Sequence, residues 1–125
     1  MANMRAIGGG NPSGMHNYST SEQIVGTDVD GSTIYERTWY GDNVNWTSTQ
    51  IIDANFKSST VKRIVEVKAV VKSTTGTWQA IPMSMTLSST QYDRYVDIDN
   101  SNGFRLIIQN ITVGAYHITI QYVKA

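Results

Sequence analysis

The chain has no cysteine. That absence removes disulfide frameworks, zinc knuckles, CxxC redox chemistry and thiol nucleophiles together. Charge of one sign is also missing. Ten basic residues balance ten acidic ones, and neither sign collects into a block that would grip phosphate backbones or anionic membranes. Nucleic acid is therefore not an expected partner, and a formal charge near zero offers little self-repulsion against association. No apolar run approaches the roughly 18 residues that a membrane-spanning helix needs, so no membrane insertion is expected. The first 17 residues carry no apolar stretch of signal-peptide length, and synthesis in the cytoplasm is the corresponding expectation. Histidine occurs twice, at His16 and His117, and there is no G-x-S-x-G elbow, which leaves little material for a Ser/His/Asp triad. A metal site on one histidine would need symmetry mates to supply the other ligands. No metal and no cofactor is expected.

What is present has period two. From Gln23 onward, β-branched and aromatic residues alternate with polar ones, the pattern of half-buried strands. Runs are predicted at 24–29, 32–40, 43–53, 61–72, 77–85, 95–98, 104–111 and 115–123. Between them lie turn clusters ending at Gly76 and Gly103, and Gly114 in TVGAY. About eight short strands at such spacing describe an all-β fold, an antiparallel sandwich of jelly-roll kind. The final run places Tyr116, Ile118, Ile120 and Tyr122 on one face and His117, Thr119 and Gln121 on the other, one face buried and one wet. The stretch VKRIVEVKAVVK is read as one long strand with a bulge near Ala69. Residues 1–17 hold four glycines and a proline with few apolar side chains, so they read as a flexible arm ahead of a single domain over 18–125.

The segment DVDG, residues 28–31, invites a calcium loop. Counting from Asp28, however, the glycine falls at loop position 4 rather than 6, and position 12 is Trp39 rather than glutamate. A hairpin explains it better: Asp30-Gly31 between alternating runs signals a two-residue type I′ turn, with Val29 facing Ser32 and Gly26 opposite Tyr35. Two carboxylate pairs, Asp28 with Asp30 and Asp97 with Asp99, sit on alternate positions of single strands. A glycosidase pair must flank its sugar from two sides, which strand neighbours do poorly. Catalytic residues are accordingly expected to be none.

Aromatic rings have the more telling placement. Trp39, Tyr40 and Trp46 are close in sequence, Trp78 follows a turn, and Tyr92 and Tyr95 flank Asp93 and Arg94. Rings on a sheet rim stack on sugar faces while Asp, Asn and Arg bond hydroxyls, and Tyr, Trp and Arg also dominate protein interfaces. Trp39, Trp46, Trp78, Tyr92, Arg94 and Tyr95 are the candidate ligand-binding residues, with core filling the competing role for each.

The stretch YSTSEQIVGTDVDGSTIYERTW resembles the segment YST-E-V-GTW-DGK-IY-(K/R) found near the C-terminal ends of tailed-bacteriophage and prophage structural proteins, those of tail fibres, baseplates and receptor-binding parts. Tyr18, Ser19, Thr20, Glu22, Val25, Gly26, Thr27, Asp30, Gly31, Ile34 and Tyr35 carry the match. The ending YHITIQYVKA resembles the strand that closes many of those proteins. Asp28 stands where that family often has tryptophan, Ser32 where it has lysine, and Thr33 where it has proline, so no role of that tryptophan transfers. The resemblance implies a non-enzymatic virion module, a homotrimer attached to other phage structural proteins. It would be made in the bacterial cytoplasm, reside in the particle and bind a host-surface carbohydrate. A purely structural virion protein is the alternative, and a tailspike-like glycan hydrolase the third reading.

Overall fold

The structure, a computed structural model, describes residues 16–125. Ten strands occur among them: β1 Gln23–Thr27, β2 Thr33–Gly41, β3 Gln50–Asp53, β4 Val61–Ser73, β5 Trp78–Ile81, β6 Thr86–Leu87, β7 Thr90–Gln91, β8 Arg94–Asp99, β9 Gly103–Ile108 and β10 Val113–Lys124. A single 3-10 turn, Ser58–Thr60, leads into β4. The fold is all-β, and every pairing is antiparallel. A five-stranded sheet in the order β1-β2-β10-β4-β5 packs against a three-stranded sheet in the order β3-β9-β8, with β6-β7 a small separate ribbon. Among the described residues the sheets hold five, three and two strands rather than the two four-stranded sheets of a jelly roll.

The core lies between the sheets and follows the alternation. From the large sheet come Trp39, Ala69, Val71, Ile81, Ile118, Ile120 and Tyr122, and from the small one Phe104, Leu106 and Ile108. Phe56, on the link between β3 and β4, stacks edge-on against Tyr122 and Phe104 and lies 5.0 Å from the Trp39 ring. β10 is the central strand, paired with β2 along one edge and β4 along the other. Its inner row, Ile118, Ile120 and Tyr122, is buried as expected. Thr119 is buried too, at 4% exposure, so its face is not simply wet. Its hydroxyl lies 2.8 Å from that of Thr38 on β2.

The segment ahead of β1 runs along β2. Ser19 O accepts from Thr38 N at 2.8 Å and Thr20 O accepts from Arg37 Nε at 2.9 Å. The expected flexible arm lies, as far as residue 15, outside the described residues. His16, counted with that arm, is exposed but tethered: its Nε2 is 2.6 Å from Oε1 of buried Glu36, and its ring is 4.5 Å from that of Tyr18. Glu36 also accepts from Gln121 Nε2 at 2.9 Å, so the outer face carries a polar network rather than bulk water.

Several local expectations are corrected. The first hairpin has a three-residue loop, not a two-residue one. Gly31 N donates to Asp28 O and Asp28 N donates to Ser32 O, with Gly31 at φ +85°. A type I turn closed by a left-handed glycine is the usual three-residue solution, and Asp30 has no positive φ, so type I′ is excluded. The register moves accordingly: Gly26 faces Ile34, and Tyr35 faces Ile24 across a bulge. On β4 the irregularities fall between Ile64 and Glu66 and between Val61 and Arg63 rather than near Ala69, because Gln121 pairs Glu66 while Tyr122 pairs Ile64, and Val123 pairs Arg63 while Lys124 pairs Val61. The run predicted over 43–53 forms a strand only from Gln50, with Trp46 bridging Val113 alone. The run predicted over 77–85 stops at Ile81, before Pro82, which has no N–H to continue a ladder.

Candidate functional site

The aspartates of DVDG have a partner the sequence did not reveal. Arg63 on β4 reaches the turn, donating from Nε to Asp28 Oδ2 and from a terminal nitrogen to Asp30 Oδ2, both at 2.7 Å. Asp28 is held below the usual carboxylate range by the Val29 N–H and then by Arg63. Asp30 is lowered further, by the Ser32 hydroxyl and N–H and then by Arg63. The other pair also has an arginine partner: Arg105 donates to both oxygens of Asp97, at 2.9 and 2.6 Å, and lies 3.6 Å from Asp99. Both carboxylate pairs therefore serve an arginine, Arg63 reaching the turn from beyond β10 and Arg105 from the strand paired with β8. No group of three or more His, Asp or Glu side chains suited to a metal occurs among the described residues. No helix there is long and apolar enough to cross a membrane.

The six candidate ligand-binding residues do not share one site. Trp39, only 7% exposed, is a core residue whose Nε1 donates to Asp53 Oδ2 at 3.1 Å. Arg94 is buried as well. It donates to Gln79 Oε1 at 2.5 Å and to Asn110 O at 3.0 Å, tying β8 to β5 and to the turn before β10. Burial pushes its guanidinium pKa down, and its Nε has no partner among the described residues. Tyr92 is half-buried beside it, with the guanidinium 5.8 Å from the ring centre. Trp46 is half-buried and stacked on Tyr116 at 5.0 Å. Tyr95 stands exposed on the small sheet. Of the six, Trp78 alone is both strongly exposed, at 54%, and set in a groove.

That groove, about 460 Å³, is lined by Asp42, Asn43, Lys72, Ser73, Thr74 and Trp78 with Val44, Gly114 and Ala115 behind them. Strand pairing accounts for the arrangement. Lys72 pairs Trp78 on one side and Ala115 on the other, so all three project from the outer face of the large sheet. The Lys72 ammonium stands 5.7 Å from the Trp78 ring centre. The site thus offers an indole face, an ammonium, a carboxylate, an amide and two hydroxyls, the set that stacks on and hydrogen-bonds a polyhydroxylated ligand.

A second groove of about 210 Å³ opens on the same sheet and is lined by Tyr18, Ser19, Thr20, Thr38, Tyr40 and His117. Tyr18 meets His117 edge to face at 5.4 Å. Tyr40 is the residue that sequence reasoning missed. Adjacent to Trp39, it must take the opposite face, and the polar partners Glu36 and Thr38 on its own face were the signal that it points outward. No protein-family model matches this chain, nor does any curated protein or solved structure match it significantly.

Proposed function

We propose that this chain is a structural module of a tailed-phage or prophage virion, acting as a homotrimer that attaches to glycans on the bacterial surface. The virion assignment is supported by the sequence resemblance of the segment from Tyr18 to Tyr35 and of the closing strand. The contact with glycan is supported by one observation, the groove in which exposed Trp78 stands among Asp42, Asn43, Lys72 and Thr74. Three copies would offset a weak single site through avidity. The test is a glycan array together with adsorption to host cells, using the wild type and Trp78→Ala. Binding that the substitution abolishes while trimers persist in light scattering supports the reading. A protein that enters particles normally yet binds neither glycans nor cells overturns the attachment role, and a strict monomer overturns the avidity argument.

A second reading, an assembly protein without receptor binding, is favoured by a different observation. β5 pairs only with the segment of β4 from Ala69 to Lys72, and the five residues from Ile64 to Lys68 before it are exposed, Ile64, Val65 and Val67 among them. An uncovered strand edge of this kind suits pairing with another virion protein. Under that reading Val67→Lys disrupts assembly, while Trp78→Ala does not.

A further inference from the structure

The two grooves lie on one sheet face, and the register joins them. Across β5, β4, β10 and β2, one outward row reads Ala80, Val70, His117, Tyr40, and the row before it reads Trp78, Lys72, Ala115. Trp78 and Tyr40 are thus three strands apart and displaced by two residues, which puts them about 14 Å apart across the strands and about 7 Å along them. Between them the floor is made of the small side chains of Ala80, Val70 and Ala115, with Lys72 and His117 as the polar groups. Tyr18 raises the far wall, held against both His16 and His117.

The geometry points to one extended saccharide site laid obliquely across the sheet, with Trp78 as one stacking platform and Tyr40 with Tyr18 as the other. This rests on the glycan reading above and names its substrate class: a linear, ribbon-like oligosaccharide of β-1,4-linked gluco-configured sugars. Such rings carry their substituents equatorially and so present flat C–H faces to an aromatic ring. A floor of short side chains between the two platforms accepts a ribbon, and a coiled chain would touch it at one platform only. One pyranose ring covers about one inter-strand spacing, so roughly three to four rings bridge the two platforms.

Chito-oligosaccharides from the disaccharide to the hexasaccharide are the probe, titrated calorimetrically into the wild type, Trp78→Ala, Tyr40→Ala and Tyr40→Phe. In the wild type, affinity rises steeply up to about the tetrasaccharide and then levels. Tyr40→Ala weakens the tetrasaccharide about tenfold and leaves the disaccharide unchanged, because an aromatic contact contributes about that much. Tyr40→Phe keeps the ring and keeps the affinity, which separates loss of stacking from loss of fold, and unchanged melting of all variants checks the same point. Trp78→Ala weakens every length. Equal affinity at all lengths, or a Tyr40→Ala variant that binds the tetrasaccharide normally, overturns the two-platform site and leaves the Trp78 groove standing. Absence of chito-oligosaccharide binding in a protein that still binds other glycans on the array overturns the substrate class, and only silence across the whole array reaches the attachment role itself.

Discussion

The hydroxyl pair between Thr38 and Thr119 makes a sharp test of how the outer face of the large sheet is held. The two residues are opposite each other on β2 and β10, are 3% and 4% exposed, and place their oxygens 2.8 Å apart. Valine has the same shape as threonine without the hydroxyl and suits a strand equally well. Replacing either threonine therefore removes one hydrogen bond and strands the other hydroxyl, a loss of about 1–2 kcal/mol after the gain from the added methyl. Replacing both removes the orphan and costs about 0–1 kcal/mol. The singles then sum to about 2–4 kcal/mol, and the double falls short of that sum by about 2 kcal/mol, well beyond the ~0.5 kcal/mol scatter of independent sites. Urea unfolding followed by tryptophan fluorescence reads this directly, since Trp39 lies in the core one residue from Thr38. In thermal melts each single should lower Tm by roughly 4–8 °C for a domain of this size. A double variant that costs the sum of the two singles would refute the claim that the hydroxyls satisfy each other.

The aspartate clamp predicts acid behaviour. Because Asp28 and Asp30 are held below their ordinary pKa, their contribution to stability is present above the unfolded carboxylate value of about 3.9 and fades as pH falls through the lowered folded values. Arg63→Ala should lower Tm at neutral pH, with the gap to wild type closing in acid; a gap independent of pH would rule out the clamp. Trp39→Ala should cost about 3–5 kcal/mol in chemical denaturation. Trp78→Ala should stay within about 1 kcal/mol, and equal losses would contradict their assignment to core and groove. Gly103 has φ +80°, and a Cβ there would meet Asp53 O at 2.5 Å, so Gly103→Ala should cost more than about 2 kcal/mol. Gly76, at φ +102° with open space around it, isolates the backbone strain alone, and Gly76→Ala should cost about 1 kcal/mol.

Alternation on the strands made the all-β sandwich legible, because burial on one face leaves a period-two trace whatever the sheet order. The inner row of β10 was read correctly from four residues for this reason. Which strands become neighbours leaves no such trace. The placement of β10 between β2 and β4 depends on long-range pairing, and nothing local distinguishes it from an edge. Hairpin register was misread because Asp30-Gly31 suits both a two-residue I′ loop and a three-residue loop with glycine last, and the preference for one over the other lies in Asp28, whose backbone closes the loop on both sides. Of the six binding candidates, Trp39 and Arg94 are buried while Trp78 lies exposed in a groove, and for Trp39 the difference is one of face rather than of residue type. Choosing Trp39 over Tyr40 took the larger ring, yet one step along a strand reverses direction. The arginine partners of the aspartates were out of reach of any local rule, since Arg63 is far from the turn in sequence and meets it only through the intervening strands.

The position of β10 also sets a schedule. It is last in chain order and yet central in the large sheet, so β2 waits for its partner while roughly 80 further residues are made, on the order of 4–16 s at ribosomal rates. Until then the inner faces of β2 and β4 have no common neighbour, and the hairpins already synthesised can form only local ladders. Closure of the sheet is a single late event with high contact order, expected on the millisecond-to-second scale. A nascent chain stopped anywhere short of Val113 lacks the strand that joins its two halves, and so exposes open edges instead of a smaller version of the fold. The architecture thereby makes synthesis of β10 a condition of closing the large sheet.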